Sequence, residues 1–210
     1  AGLIRVAADG ASQTLVPSFA TASGGTRFVL PAGAAALSVP LRWTDPATGL
    51  QLERTLTLRR GGYVLEVQDR LANPAGASQR LYPFARLARV APPAPPKHSF
   101  MTNPETFSFI GAAWYTPAEK VEKASLADYA DEKPPAGPVT DGWIAMLQHH
   151  FATAWVPTAG EAQTGFDTGV ESQGGVPLYS VRAVGPALDL GPGQARTHAQ
   201  RLWVGPKLQA

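Results

Sequence analysis

The sequence predicts an all-β fold in which antiparallel strands pack as a sandwich. Short apolar segments alternate with polar positions, turn-forming glycine and proline clusters separate them at regular spacing, and helical periodicity is scarce. Length and composition agree. With 210 residues and 44% hydrophobic content, the chain buries a sizeable core. Large sandwiches run undivided to this length, so residues 1–210 are expected to form a single domain. Cysteine is absent, which excludes disulfide staples and thiolate chemistry. Net charge is only +2 and charged residues make up 16%, so there is no dense basic patch for phosphate backbones and nucleic acid is not an expected partner. No apolar run reaches the roughly 20 residues a membrane-spanning helix needs, and the chain as it stands is expected to be soluble.

From the amino end, residues 1–25 mix apolar pairs such as Leu3-Ile4 and Leu15-Val16 with turn signals at Asp9-Gly10, Pro17 and Gly24-Gly25, which reads as turns and weak strands. Residues 26–30 and 37–43 read as strands. Asp45-Pro46-Ala47-Thr48-Gly49 then forms a turn, because proline presets φ and glycine accepts a positive one. Leu50, Leu52, Leu56 and Leu58 alternate, Arg59-Arg60-Gly61-Gly62 turns the chain, and Tyr63, Leu65 and Val67 share one face, which makes the clearest hairpin in the sequence. After a turn at Asn73-Pro74-Ala75-Gly76, residues 80–90 put Tyr82 and Phe84 on the face opposite Leu81 and Leu87.

Residues 91–96 lack a backbone donor at four of six positions and are expected to cross the surface as an extended polyproline strut. Residues 106–115 read as a strand, and the charged run 119–133 as either a short helix or a solvated strand. Residues 161–175 are polar and glycine-rich. Closing strands are expected over 176–184 and 196–204, around a Gly191-Pro192-Gly193 turn.

The densest apolar stretch is residues 142–157, with Trp143, Ile144, Met146, Leu147, Phe151, Trp155 and Val156. Its periodicity fits helix and strand alike. The breakers Gly142 and Pro157, and the lack of a helix N-cap box, favour an interior strand apolar on both faces. Trp143 and Trp155, with Tyr82 and Phe84, are the candidates for core or for a cleft that takes peptide or carbohydrate.

This stretch, read from Asp141 to Pro157, resembles the signature of the large periplasmic domain of the YidC family of bacterial inner-membrane protein insertases. Residues 109–117 with Glu119-Lys120 and Glu122-Lys123, the Trp203-Val204-Gly205-Pro206 segment and residues 56–63 resemble the same family in the same order, over about residues 37–207. The resemblance implies a large twisted β-sandwich similar to galactose mutarotase-like folds. It also implies a position on the periplasmic side of the inner membrane, within a longer membrane-embedded protein whose helices perform insertion. The family domain is expected to begin with strands upstream of residue 1, leaving a sheet edge exposed near the start. The implied partners are accessory subunits of the Sec translocon and nascent membrane proteins, and the implied role is supportive rather than catalytic.

Candidate partner contacts are the rigid segment Pro93, Pro95, Pro96 and Lys97 and the mixed charges Glu119, Lys120, Glu122 and Lys123, which together offer a preordered, salt-sensitive surface. Trp203, Val204, Gly205 and Pro206 are expected to pack firmly and orient the carboxy-terminal end. No metal or other cofactor is expected: in a strand, the adjacent His149 and His150 point to opposite faces. His98 and His198 are isolated in sequence. The rival reading is a carbohydrate-binding or sugar-epimerising protein, in which His149 or His150 works as acid or base with Glu161, Asp167 or Glu171. No spacing selects such a pair, and fold alone does not fix function. A serine elbow and a phosphate loop are both absent from the sequence.

Overall fold

Alternating side chains and frequent tight turns give strands joined by turns and loops, with no helix among the described residues, in the computed structural model, which describes residues 1–74, 76–92 and 109–207. The first strands are Gly2–Val6 (β1), Ser12–Leu15 (β2), Ala20–Thr21 (β3), Ala36–Thr44 (β4), Gln51–Arg59 (β5), Val64–Ala72 (β6) and Gln79–Val90 (β7). Then come Gly111–Thr116 (β8), Lys120–Ser125 (β9), Val139–Thr140 (β10), Trp143–Leu147 (β11) and Phe151–Pro157 (β12). Ala162–Gln163 (β13), Gly165–Gln173 (β14), Val176–Val184 (β15), Leu188–Leu190 (β16) and Ala195–Pro206 (β17) complete the fold. A nine-stranded sheet runs β3-β4-β5-β6-β17-β12-β11-β8-β9. It faces a six-stranded sheet ordered β14-β15-β7-β1-β2, in which β16 also pairs with β7. All pairings are antiparallel, as expected of strands joined by short turns.

The core between the sheets is split into two clusters. One joins Trp114, Ile144, Met146, Trp155 and Val67 of the large sheet to Ala85, Val181, Ala183 and Phe166 of the small one. The other joins Leu50, Leu52 and Leu71 to Leu3, Leu15, Leu81 and Leu190. A polar row separates them. On β5, Arg54 lies between Leu52 and Leu56; on β6, Asp69 lies between Leu71 and Val67, directly opposite Arg54. The guanidinium donates from Nε to Asp69 Oδ1 and from Nη2 to Oδ2, both at 2.7 Å, and the two residues are 8% and 2% exposed. This fork-to-fork geometry satisfies both charges where water does not reach. The Phe19 ring covers the guanidinium at 4.9 Å.

Three sequence expectations need correction. Residues 142–157 are not one strand but a hairpin, β11 and β12, because Gln148-His149-His150 interrupts the apolar run and Gln148 N–H donates to Phe151 O at 2.9 Å. Residues 26–30 form no strand, since the loop from β3 to β4 is instead held by Arg60, which donates to the carbonyls of Pro31 and Ala34. Residues 165–173 form a full edge strand despite their polarity, paired with β15 along nine positions from Gly165↔Val184 to Gln173↔Val176. The charged run resolves as strand β9 followed by turns. Strands β2 and β3 lie at sheet edges.

If the polar row holds as a unit, breaking one half is worse than removing both. Asp69→Ala is expected to lower unfolding stability by about 3–5 kcal/mol in urea titration, and Arg54→Met with Asp69→Leu to recover most of it.

Candidate functional site

The sequence candidates fall on three separate parts of the molecule. Glu119, Lys120, Glu122 and Lys123 occupy the β8–β9 turn and β9, the last strand of the nine-stranded sheet. All four are exposed. Lys120 adopts a positive φ of 65° at the turn and its ammonium donates to Pro117 O at 2.9 Å, while Glu119 N–H donates to Thr116 Oγ1 at 3.0 Å. The Lys123 ammonium lies 5.6 Å from the Phe109 ring centroid. This edge is therefore a ribbon of mixed charge on which no further strand pairs among the described residues. Pro93, Pro95, Pro96, Lys97 and His98 lie outside the described residues.

The aromatic candidates do not converge. Trp155 packs inside the core cluster, whereas Trp143 lies on the opposite face of the sheet by register, stacked on Tyr115 with centroids 5.8 Å apart. Tyr82 and Phe84 face outward from β7. Phe84 lines an open hollow of about 660 Å³ on the small sheet, bordered by the ion pairs Arg86–Glu171 at 2.8 Å and Arg182–Asp167 at 2.6 Å. At the carboxy-terminal end, Trp203 is half-buried against Tyr63 with centroids 5.5 Å apart, Gly205 is buried beneath the Tyr63 ring, Pro206 is half-buried and Val204 is exposed. Of the four residues expected to pack firmly, Gly205 is thus buried, Trp203 and Pro206 are half-buried and Val204 faces solvent.

The histidines also sit differently from the expectation. His149 and His150 occupy the β11–β12 turn rather than a strand, so their rings meet edge-on at 3.8 Å instead of pointing apart. Neither approaches the proposed carboxylates, which are held elsewhere: Asp167 by Arg182, Glu171 by Arg86 and Glu161 by His198. The last pair escaped sequence reasoning. His198 Nδ1 lies 3.1 Å from Glu161 Oε1, and the imidazole is buried next to Asp69 in the cross-strand register. The period-two pattern of β17, which sends His198, Gln200 and Leu202 to one face, was the available signal.

An imidazole and a carboxylate in contact are the parts an epimerase needs, but this pair has no room for a sugar. The adjoining cavity, lined by Trp155, Gln163, Phe166, His198 and Gln200, measures about 10 Å³. That volume holds at most a single water, whereas small-molecule sites occupy roughly 300–1,000 Å³. Burial also pushes the Tyr129 phenol well above its ordinary range, so it stays neutral. Half-burial of Trp203 sets the expected cost of Trp203→Ala at about 1–2 kcal/mol, less than a fully buried tryptophan would give, read as a lowered midpoint in urea unfolding.

Comparison with known proteins fits this geometry. The family profile described as YidC periplasmic domain matches residues 1–210. The chain is 40% identical over 193 residues to the membrane protein insertase YidC of Xanthomonas euvesicatoria pv. vesicatoria, covering 92% of this chain and 32% of that protein. To the same-named protein of Xylella fastidiosa it is 38% identical over 172 residues, covering 82% and 29%. It therefore spans about a third of the length of these relatives. Among solved structures, the GH36 alpha-galactosidase AgaA from Geobacillus stearothermophilus superposes with a TM-score of 0.54 at 14% identity, over 97% of this chain and 30% of that one. The alpha-galactosidase from Lactobacillus brevis gives 0.52 at 10% identity, over 98% and 28%. At such identities the likeness is one of fold, a sandwich domain shared with larger glycosidases. The sequence relatives carry the assignment: the chain belongs to the YidC periplasmic domain family and lies on the periplasmic side of the bacterial inner membrane.

Proposed function

We propose that the domain, acting as one unit across residues 1–210, supports insertion and folding of inner-membrane proteins by contact rather than by catalysis, with Sec translocon accessory subunits and nascent membrane proteins as its partners. The observation that carries this reading is the exposed, mixed-charge edge at β9, where Glu122 and Lys123 face solvent on the last strand of the larger sheet. An edge strand offers backbone donors and acceptors to an incoming strand, and mixed charge selects which strand is accepted. The cavity at His198, far too small for a sugar, supports the non-catalytic part, because an acid–base pair without room for a substrate performs no turnover.

In this role the rigid sandwich holds the edge in a fixed orientation, so a partner meets a preordered surface at small entropic cost. The charges set the rate and selectivity of encounter and make it salt-sensitive. The test places a photo-activated crosslinking residue at Val121 or Lys123 of the full-length insertase in bacterial membranes, with Gln13 on edge strand β2 as the comparison site. Crosslinks from β9 to a Sec accessory subunit, lost in the charge-reversed variant Glu122→Lys, are expected. Equal crosslinking from Gln13, or none to a Sec subunit from β9, contradicts the proposal.

A further inference from the structure

The two ends of the sandwich are chemically unlike. At one end polar groups close the loops: the buried Asn73 side chain donates to Ala77 O at 2.8 Å and Leu190 O at 3.0 Å, and it accepts from Gln79 Nε2 at 3.0 Å. The Asp45 carboxylate caps its own turn, accepting from Thr48 Oγ1 at 2.6 Å. At the other end the strand registers Val64↔Trp203 and Phe151↔Pro206 bring together the β5–β6 turn, the β11–β12 turn and the exit of β17. There Phe151 is 58% exposed and Val204 53% on one face of the sheet's end, Tyr63 is 50% exposed on the other face over Trp203 and Gly205, and Leu58 is 43% exposed near the end of β5. Apolar groups gathered at one end of a sheet mark a contact surface rather than scattered surface hydrophobes.

Among the described residues, the charges left without an acidic partner at this end are cationic. Arg59 is matched by Glu66, with Nε 2.9 Å from Oε1. Arg60 is held by two carbonyl acceptors and meets no carboxylate among the described residues, and the Lys207 backbone N–H is fixed to His150 O at 2.8 Å. Two copies facing each other through this end would set Arg60 and Lys207 against their own like charges, which argues against self-association. An anionic surface with an apolar layer just beneath it satisfies both halves of the patch. Phosphates meet the cations, while the aromatic and aliphatic tips enter the headgroup zone, where tyrosine and tryptophan are at home.

We propose that the end formed by Tyr63, Phe151, Val204, Arg60 and Lys207 is a docking surface for anionic phospholipid headgroups of the membrane beside which the domain lies. The sandwich then stands on the bilayer by its β5–β6 and β11–β12 turns, leaving the β9 edge at its side. This inference rests on the periplasmic location of the family and not on the proposed Sec contact, so either can fail alone.

Vesicle flotation of the purified chain tests it, using phosphatidylcholine vesicles with and without phosphatidylglycerol at low and high salt. Two variants change the patch: Phe151→Ser removes an apolar tip and Lys207→Glu reverses a charge, with circular dichroism confirming that each stays folded. The chain is expected to float with phosphatidylglycerol vesicles at low salt, and each variant to lower that partition about tenfold. Soluble glycerol phosphate is expected to leave binding unchanged, which separates a bilayer from a free phosphate site. Absence of flotation, flotation indifferent to both variants, or release by glycerol phosphate overturns the proposal. So does a dimer in sedimentation that Phe151→Ser dissolves, since the patch would then cover a second copy.

Discussion

The buried pairing of Arg54 with Asp69 is the constraint on which this sandwich depends. Two opposite charges sit in the middle of the larger sheet, each nearly inaccessible, with both nitrogens of the fork engaged. Such a pair adds little net stability compared with apolar residues of the same shape, but a slip in strand register leaves a bare charge in the core. A one-residue slip of β5 against β6 would also turn every leucine of the strand to the wrong face. Register is therefore fixed twice, by burial and by charge. The same row sets His198 beside Asp69 and closes it with Glu161, so three strands and one loop are tied at one level between the two apolar clusters.

The division of labour between interior and surface follows from that arrangement. His198 is buried and its partner Glu161 only partly exposed, beside a cavity fit for a water molecule. Among the described residues, groups that reach solvent include the charged edge of β9, the ion-paired hollow on the small sheet and the end where β17 leaves the larger sheet. Likeness to glycosidase sandwich domains reflects a stable way to stack two large sheets, while membership of the YidC periplasmic domain family sets the compartment. A sandwich with a closed interior and two unlike ends is suited to holding partners at fixed positions near a membrane, which is the proposed role.

Much of the fold was legible because its signals are local. The leucine alternation from Leu50 to Leu58, the glycine pair at Gly61 and Gly62 and the Asp45–Gly49 turn each act over a few residues and gave β4, β5 and β6 nearly as found. The Trp-rich stretch was legible as strand but not as hairpin, since its polar break is only three residues long and the turn is completed by pairing with β8 and β17. Edge strand β14 was hidden because an edge needs no apolar alternation and its partner β15 lies beyond an intervening turn. The polar row was the hardest to see. Arg54 and Asp69 lie on opposite strands of a hairpin, and His198 and Glu161 are distant in sequence, so only register makes them neighbours. The aromatic candidates Tyr82, Phe84, Trp143 and Trp155 shared a residue type but not a face, which period two within single strands does not reveal across two sheets.

The central claim is that the Arg54–Asp69 row locks both apolar clusters into one cooperative unit. Native-state hydrogen exchange of backbone amides tests it most directly, because each amide reports the free energy of the opening that exposes it. The account predicts that amides at the centres of β5, β6, β17 and β11 exchange slowest and share one opening free energy that falls together with added denaturant. Exchange from β11 and β12 through a separate, lower-energy opening, with β5 and β6 still protected, would contradict it.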